Sequence, residues 1–321
     1  MRAAVCTKYG PPDLVTIQDV DDPTPKPDEL LIKVHATTVN RTDCAYRAGK
    51  PVFVRPVMGL RGPRAKVLGN EFAGQVESIG AAVTSFQVGD RVFGYIEGPF
   101  GAHAEKLVIP ENGSVAIIPA GRTYEEVAPG TEGVHYALSV INSAKITPGQ
   151  RVLVNGGTGG IGSAAVQLLK LQGADVTAVC GPAHLGLVKG LGAHTVIDYT
   201  AEDFTRRTGP FDVVIDAVGK STFGKCKPLL APHGIYFSTE LGPYLQNPFL
   251  ALVTPLLRGR RVKFPIPKHN QQMIENFAGL IGSGKFKPVV DRSYPLDRIV
   301  DAYRYVDAGQ KIGNVVITVV T

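Results

Sequence analysis

A glycine-rich turn between a hydrophobic strand and a helix is the feature that most constrains the fold of this chain. Residues 152–162 read Val-Leu-Val-Asn-Gly-Gly-Thr-Gly-Gly-Ile-Gly, and an apolar stretch typical of a helix follows at 163–171. Gly157, Gly159 and Gly162 have the G-x-G-x-x-G spacing. The first glycine permits a tight turn, the second lets the backbone approach a pyrophosphate, and the third lets the helix pack on the strand. Because free N–H groups at a helix start favour negative charge, this motif predicts dinucleotide binding.

Composition narrows the class of protein. The 321 residues allow two domains, and 44% hydrophobic with 19% charged residues is typical of a globular protein. The net charge of +6 comes from scattered cations, so we expect a preference for anionic cofactors and no main role in nucleic-acid binding. Cys6, Cys44, Cys180 and Cys226 lack C-x-x-C spacing, which favours a reducing compartment. No apolar run reaches membrane-spanning length, and we expect a soluble, cytoplasmic protein without a membrane partner.

The secondary-structure pattern changes along the chain. Short apolar runs separated by Gly, Pro and Asp predict β-structure up to about residue 120. A helix is predicted at 124–145, and strands then alternate with helical stretches, which indicates a doubly wound parallel sheet. After it we expect helices at 271–283 and 296–308 and a last strand at 315–319. The clearest predicted strands are 30–36, 72–79, 91–95 and 104–109 in the first part, and 151–155, 175–180, 195–199, 212–217, 234–239 and 261–266 in the second.

This order predicts an α/β protein with a discontinuous outer domain. We expect an N-terminal part of that domain at 1–123, a dinucleotide-binding domain at 124–267, and a return to the outer domain at 268–321. The crevice between the domains, at the carboxyl ends of the parallel strands, is the expected active site.

Several segments spread over most of the chain share a known family pattern in the same order. They are Val39-Asn40-Arg41-Thr42-Asp43, Leu68-Gly69-Asn70-Glu71-Phe72-Ala73-Gly74, Val88-Gly89-Asp90-Arg91-Val92-Phe93-Gly94, Thr147-Pro148-Gly149, Leu191-Gly192-Ala193 and residues 212–219. The pattern resembles the medium-chain dehydrogenase/reductase superfamily, and within it the zinc-free quinone oxidoreductase-like (zeta-crystallin-like) branch. The resemblance implies a GroES-like β-barrel domain beside a Rossmann doubly wound parallel-sheet domain, with a nicotinamide cofactor. We also expect a homodimer.

The chain departs from the zinc-dependent members of that superfamily. Those enzymes carry a Cys where this chain has Asn40 and a His where it has Asn70, and they have a third thiolate ligand. Here no cysteine lies between Cys44 and Cys180. Catalytic zinc needs three protein ligands, usually thiolate or imidazole, and an Asn amide is a poor substitute. We therefore expect a metal-free protein.

The stretch after the glycine motif predicts which nicotinamide cofactor binds. An NAD-selective fold carries Asp or Glu about 20 residues further on, but residues 177–184 contain no carboxylate. His184 or Lys189 offers a cation to a 2′-phosphate, and Tyr199 would flank the adenosine, as in similar quinone reductases. These features favour NADPH. The expected cofactor-binding residues are Gly157, Thr158, Gly159, Gly160, Ile161, Gly162, Cys180, Gly181, His184, Tyr199, Ala217, Val218, Ser238 and Thr239.

Without a metal, reduction of an activated small-molecule acceptor is the expected chemistry. A quinone or enone spreads the charge that hydride transfer places on its oxygen, so the enzyme mainly positions two flat reactants and offers a hydrogen bond. The candidate catalytic donors are Asn40, Thr42, which occupies the proton-relay position of related dehydrogenases, and Tyr46. We expect Asp43 to support this segment and Glu71 to be a packing carboxylate or one that supports the donors.

Two alternatives remain open from the sequence. A reductase of enoyl thioesters would need a basic cleft for the phosphates of the carrier, and Arg55, Arg61, Arg64 and Lys66 form a candidate for it. A non-catalytic protein that binds NADPH and RNA is the second alternative. Salt-dependent RNA binding would support it.

Overall fold

The computed structural model describes residues 1–96, 98, 100–207, 209–267 and 269–319. The chain forms two compact units. Unit 1 comprises Met1–Glu132 and His269–Thr321, and unit 2 comprises Gly133–Lys268.

Fifteen strands occur in the described residues. They are β1 (Arg2–Cys6), β2 (Val15–Asp19), β3 (Glu29–Val39), β4 (Glu71–Ile79), β5 (Arg91–Tyr95), β6 (Lys106–Pro110), β7 (Ser114–Ile117), β8 (Arg151–Asn155), β9 (Asp175–Cys180), β10 (Thr195–Asp198), β11 (Phe211–Asp216), β12 (Leu230–Ser238), β13 (Arg261–Lys263), β14 (Val290–Pro295) and β15 (Asn314–Thr318).

Ten α-helices occur in the same ranges. They are α1 (Arg41–Ala48), α2 (Arg55–Met58), α3 (Tyr124–Val127), α4 (Thr131–Ala144), α5 (Gly160–Leu171), α6 (Leu185–Leu191), α7 (Phe223–Cys226), α8 (Gln246–Val253), α9 (Gln271–Gly282) and α10 (Ile299–Asp307). None of the described helices is long and apolar enough to span a membrane.

Unit 1 is built on a seven-stranded sheet. Its strands lie in the order β14-β15-β3-β4-β5-β7, and β6 pairs with β3 off this path. Leu30, Ile32 and Val34 of β3 are fully buried with Phe72 of β4 in one apolar cluster, because alternate side chains of a strand share a face. The C-terminal strand β15 runs antiparallel to β3, with Val315 opposite Val39. An early strand and the last strand of the chain therefore share one sheet.

Unit 2 is built on a six-stranded parallel sheet. Its strands lie in the order β10-β9-β8-β11-β12-β13, which is the 3-2-1-4-5-6 order of a Rossmann sheet. The strands are short apolar runs, as expected where both faces of a parallel sheet are covered; Leu153, Val214 and Tyr236 are fully buried. The carboxyl ends of all six strands lie at one edge, with the chain order reversing at β8.

The structure differs from the predicted elements in several places. The strand predicted at 261–266 ends at Lys263, and the strand predicted at 234–239 begins at Leu230. The helix predicted at 124–145 is two helices, α3 and α4, because Pro129 and Gly130, with φ +104°, interrupt it. The strands β1, β2, β7 and β14 are not among the clear predictions. A short 3-10 turn, Leu296–Arg298, precedes α10 where the sequence predicts one helix.

Candidate active site

The glycine-rich turn joins β8 to α5 in unit 2. Gly159 is the residue that caps the N-terminus of α5. A Cβ atom at Gly162 would lie 2.0 Å from the Gly156 carbonyl oxygen, whereas one at Gly159 would meet only that oxygen, at 3.7 Å. The helix thus packs tightly through Gly162, and the space over Gly159 is open. The backbone N–H groups of Gly160 and Ile161 are the first of the helix, so this turn fits a pyrophosphate.

The next strand end carries a second group of predicted residues. Cys180 ends β9, and its carbonyl accepts from Tyr199 N at 3.2 Å. A Cβ atom at Gly181 would stand 3.5 Å from the Tyr199 hydroxyl, so the two residues are neighbours. His184 ends a short 3-10 turn, Pro182–His184. The Lys189 ammonium instead donates to the His194 carbonyl.

One carboxylate lies near this strand end. Asp198 is opposite Cys180 in the β9–β10 register, although it stands outside the carboxylate-free stretch 177–184 in the sequence. Its Oδ1 atom accepts from both the backbone N and the hydroxyl of Thr200 at 2.8 Å. The Asp198 carboxylate therefore stabilises the turn that follows β10.

The ends of β11 and β12 bring the remaining predicted cofactor residues to the same edge. Ala217 N donates to the Asn155 carbonyl at 3.0 Å and Thr239 N to the Asp216 carbonyl at 3.1 Å. Val218 packs against Gly156. The buried Asp216 carboxylate accepts from Asn155 Nδ2 at 3.0 Å, Ser221 N at 2.8 Å and the Tyr236 hydroxyl at 3.3 Å, and these bonds fix the edge. Ser238 and Thr239 line a cavity of about 270 Å³, which Tyr136, Val140, Leu241, Phe264 and Ile266 help to enclose.

The predicted catalytic residues lie in unit 1, around a buried carboxylate, Glu71. Its Oε2 atom accepts from Asn40 Nδ2 and Thr38 Oγ1, both at 2.6 Å. Its Oε1 atom accepts from Gly130 N at 3.0 Å, Thr131 Oγ1 at 2.8 Å and Glu132 N at 2.7 Å. Both oxygens are saturated with donors, which suits an ionised carboxylate. Glu71 thus joins β3, β4 and the starts of α1 and α4.

Asn40 and Asp43 open helix α1 within this network. Asn40 N donates to Asp43 Oδ2 at 2.7 Å, and Asn40 Nδ2 also donates to Thr38 Oγ1 at 3.1 Å. Asp43 Oδ1 accepts from Gly69 N at 3.2 Å. Burial raises the pKa of Asp43 to about 7, against the lowering effect of these backbone donors. The Asn40 amide nitrogen is therefore engaged by protein groups.

Thr42 is the predicted donor with the most distinctive surroundings. The Thr42 hydroxyl is hydrogen-bonded to the carboxyl group of Glu132, the second residue of α4. Burial, then the nearby Glu71 and Asp43 carboxylates, raise the pKa of Glu132 to about 8. Lys311 interacts electrostatically with Glu132 and Glu71, and burial lowers its pKa. Thr42 itself is half-buried, whereas Glu132, Glu71 and Asp43 are buried.

Tyr46 lies one helical turn beyond Thr42. Its ring is half-buried and packs edge-on against Phe100, with ring centroids 4.4 Å apart. Elsewhere in unit 1, the fully buried His103 ring donates Nε2–H to the Thr38 carbonyl at 2.7 Å, and its Nδ1 accepts from the Tyr303 hydroxyl at 3.2 Å. Burial lowers the pKa of His103 to about 4, so this imidazole is neutral.

A catalytic zinc does not fit the side chains at the two family positions. Asn40 directs its amide nitrogen at Glu71 and Thr38, and Asn70 directs its own at the Tyr95 hydroxyl at 3.3 Å. Asn70 Oδ1 is buried without a hydrogen-bond partner, but one amide oxygen is not a zinc ligand set. Over the described ranges, no group of three or more His, Cys, Asp or Glu side chains is arranged to hold a metal ion.

Glu132 and Lys311 are the site residues that the sequence did not reveal. Glu132 lies inside the helix predicted at 124–145 and Lys311 lies in the C-terminal part, so no local spacing links them. The sequence does place two polar residues, Thr131 and His135, on the same helix as Glu132. Ordinary helix packing explains that pair equally well. Both are buried.

Comparison with known proteins defines the family. An alcohol dehydrogenase GroES-like domain matches residues 26–120, and a zinc-binding dehydrogenase domain matches 191–317. Curated relatives include the 2-methylene-furan-3-one reductase of Solanum lycopersicum (32% identity, 99% of this chain, 79% of that protein) and the chloroplastic quinone-oxidoreductase homolog of Spinacia oleracea (32%, 99% and 98%). The chloroplastic NADPH-dependent alkenal/one oxidoreductase of Arabidopsis thaliana is 30% identical (99% and 79%).

A solved structure agrees with these relatives. The quinone oxidoreductase from Coxiella burnetii superposes with a TM-score of 0.90 at 26% identity, covering 100% of this chain and 99% of that one. The fold, the glycine-rich turn and these matches show that the chain belongs to the medium-chain dehydrogenase/reductase superfamily. It is an oxidoreductase with a pyridine nucleotide cofactor.

Proposed function

We propose that the protein is a zinc-independent reductase that uses NADPH to reduce a quinone, an enone or a related carbonyl acceptor. The observation that carries the proposal is that one chain has both an open glycine-rich turn, in unit 2, and a donor cluster around Thr42, in unit 1. When bound, the dihydronicotinamide supplies the hydride. The names of the relatives, which include quinone and alkenal/one oxidoreductases, support an electron-poor acceptor.

The residues of the chain then have separate tasks. The turn at 157–162 binds the pyrophosphate, and His184 with Tyr199 takes the adenosine end. The 2′-phosphate is admitted because the end of β9 has no carboxylate and Asp198 is engaged by Thr200. Thr42 donates to the acceptor oxygen, with Asn40 and Tyr46 beside it. A developing alkoxide or enolate gains most from such donors where water is excluded.

A steady-state panel tests this proposal. Quinones, enones, enoyl thioesters and aldehydes are each assayed with NADPH and with NADH. We expect the highest kcat/KM for a quinone or enone with NADPH, and poor oxidation of simple alcohols. Equal use of NADH, or faster oxidation of alcohols than reduction of quinones, would refute the proposed NADPH-dependent reductase.

Elemental analysis tests the proposed independence from zinc. It should find no stoichiometric zinc, and a tightly held zinc required for turnover would refute that part of the proposal.

The enoyl-thioester alternative has one observation in its favour. Residues 44–70 contain no Asp or Glu, and Arg61, Arg64 and Lys66 all lie in this stretch. Phe53 and Leu60 are exposed in the same stretch, at 55% and 75%. A basic and apolar surface of this kind complements a phosphate-bearing acyl carrier. In the panel, a kcat/KM for an enoyl thioester above that for every quinone and enone would favour this alternative.

We also propose a homodimer formed through unit 2, in a cytoplasmic protein. Leu245, Phe249, Leu252 and Leu256 form an exposed apolar stripe at helical spacing along and beyond α8. The helix packs beside β13, the edge strand of the parallel sheet. A second copy would cover the stripe and pair with the strand edge at once. Light scattering should give twice the chain mass, and Leu252→Asp should give the monomer mass. A wild-type monomer would refute the dimer.

The four buried free thiols are consistent with a reducing compartment.

A further inference from the structure

Three buried carboxyl groups and the half-buried Lys311 lie close together near Thr42. Asp43 comes from α1, Glu71 from β4, Glu132 from α4, and Lys311 from the loop before β15. Electrostatic interactions link Glu132 to the other three groups. Three buried negative charges against one positive charge are costly, so the cluster favours keeping a proton on one of its carboxyl groups.

The hydrogen bonds identify the carboxyl group that keeps the proton. Glu71 accepts from five donors, which stabilise its ionised form. Asp43 accepts from two backbone N–H groups. In the described part of the chain, the Glu132 carboxyl is bonded to one group, the Thr42 hydroxyl. Glu132 has the fewest donors, and burial together with the neighbouring Glu71 and Asp43 carboxylates raises its pKa to about 8.

We propose that Glu132 is a positioning residue that stores the proton delivered by Thr42 to the acceptor oxygen, and that Lys311 stabilises the carboxylate left behind. The inference rests on the proposed reductase function. Hydride transfer would break a C–H bond of the dihydronicotinamide, which is oxidised, form a C–H bond on the acceptor and leave negative charge on the acceptor oxygen. The Thr42 O–H bond breaks as the acceptor O–H bond forms, and the Glu132 O–H bond breaks as the Thr42 hydroxyl is restored. A proton from water then returns to Glu132.

Lys311 is suited to this task by its surroundings. It is half-buried, and its ammonium donates to the Gly313 carbonyl at 2.5 Å. Burial lowers its pKa, while Glu132, Glu71 and Cys44 act in the opposite direction and Arg41 adds to the lowering. A cation near Glu132 favours the carboxylate over the acid. Lys311 therefore lowers the cost of releasing the proton.

The stored proton can be detected without turnover. A protonated carboxyl group has a C=O stretching band in the infrared that an ionised one lacks. We expect the cofactor-free protein to lose a Glu132 band with a midpoint near the pKa of about 8, separate from any Asp43 band, which would disappear near pH 7. The band should be absent in Glu132→Gln and retained in the matched control Glu125→Gln, which changes a carboxyl group outside the cluster. A band with a midpoint near pH 8 that persists in Glu132→Gln, or no such band in wild type, would refute the stored proton.

Kinetics test the delivery step. Wild-type kcat should fall above about pH 8, as Glu132 ionises. Glu132→Gln should lower kcat by about 100-fold, the usual range for lost proton transfer, and remove that alkaline decline, with the KM for NADPH unchanged. Glu132→Asp should restore the decline at a higher kcat. Lys311→Met should move the decline to higher pH, because removing the cation raises the pKa of Glu132.

Two outcomes separate the inference from the proposed function. If the wild type reduces none of the panel acceptors, the function fails, and the infrared result still decides where the proton is stored. If the wild type is active and Glu132→Gln keeps both its kcat and its alkaline decline, the inference alone is wrong. Thr42→Val should lower kcat as Glu132→Gln does, and full activity in this variant would also overturn the relay. Should Glu132→Gln fail to fold, Thr42→Val and Lys311→Met carry the same test.

Discussion

Two glycines of the turn between β8 and α5 have very different surroundings. Gly162 has no room for a side chain, since a Cβ atom there would lie 2.0 Å from the Gly156 carbonyl oxygen, whereas Gly159 faces open space. The φ of Gly159, −69°, is also accessible to any residue. The two glycines of one motif therefore have different surroundings: Gly162 is required for helix packing, and Gly159 leaves the space that we expect the ligand to need.

Substitutions at Gly159 and Gly162 give the first prediction. Gly159→Val should fold like wild type, because a Cβ atom at this position would meet only the Gly156 carbonyl oxygen, at 3.7 Å. Its affinity for NADPH should fall by at least about 100-fold, since the side chain blocks the approach of the pyrophosphate. Gly162→Val should instead be destabilised. Calorimetric titration with NADPH and thermal melting distinguish the two. Unchanged NADPH binding in Gly159→Val would mean that the turn is an ordinary loop.

Gly181 offers a test of cofactor choice. An Asp side chain fits here, because a Cβ atom would stand 3.5 Å from the Tyr199 hydroxyl, an ordinary contact. Gly181→Asp should repel a 2′-phosphate and accept from a 2′-hydroxyl. Loss of a charge-assisted contact of about 1.5–3 kcal/mol corresponds to roughly one to two decades in affinity. We expect kcat/KM to shift from NADPH towards NADH by that factor, with Gly186→Asp as an open-surface control. An unaltered ratio would contradict the assigned ribose position.

At the level of elements, Glu71 is the point where four segments meet. Its five hydrogen bonds join β3, β4 and the starts of α1 and α4. The segment Leu68 to Gly74 is recognisable from its sequence pattern, but which groups its carboxylate binds follows from the pairing of β3 with β4, where Thr37 lies opposite Phe72.

Replacing Glu71 measures the strength of this junction. Glu71→Gln puts an amide N–H₂ among donors, so at least one buried donor loses its partner. We expect the free energy of unfolding to fall by about 2–4 kcal/mol. Glu77→Gln, on the same strand but exposed and paired with Lys106, should change it by less than about 1 kcal/mol. Urea denaturation measures the free energy of unfolding of both variants. Equal losses would show that the hydrogen bonds of Glu71 add no stability beyond that of an exposed carboxylate.

For the molecule as a whole, the buried carboxyl cluster predicts a dependence of stability on pH. The pKa of Glu132 is raised in the folded state from an ordinary 4.5 to about 8, so the folded protein binds more protons than the unfolded chain between these values. Its stabilising contribution is complete below about pH 4.5 and is lost as the pH rises to about 8. Asp43 acts in the same direction, up to about pH 7.

Because the cluster loses stabilising free energy as the pH rises, it gives a prediction for thermal stability. We expect the melting temperature to fall by roughly 5 °C or more between about pH 5 and about pH 9. Glu132→Gln should have a flatter profile, because the neutral amide does not titrate. Calorimetry over the pH range checks both. A melting temperature that stays constant or rises over this interval would contradict the raised pKa values of the cluster.

The sequence by itself determined the parts of this protein that depend on local pattern. The strand, glycine turn and helix at 152–171 predicted the dinucleotide fold, because turn geometry and helix-start N–H groups are properties of neighbouring residues. The alternating pattern predicted the parallel sheet, and the family segments predicted both folds and the reductase class. The domain limits at 123 and 267, the assigned site residues and the choice of NADPH stay predictions.

Only the tertiary structure decided the surroundings of Thr42. Strand β15 returns to β3 and the chain before it carries Lys311, while α4 carries Glu132 to the same cluster. A raised pKa depends on burial and on charges brought together from distant segments, and neither is written in local spacing. The break at Gly130 is similar, since its N–H becomes a donor to Glu71 only when the strands have paired. Local pattern specifies which elements form, and the packing of those elements specifies where a carboxyl group keeps its proton.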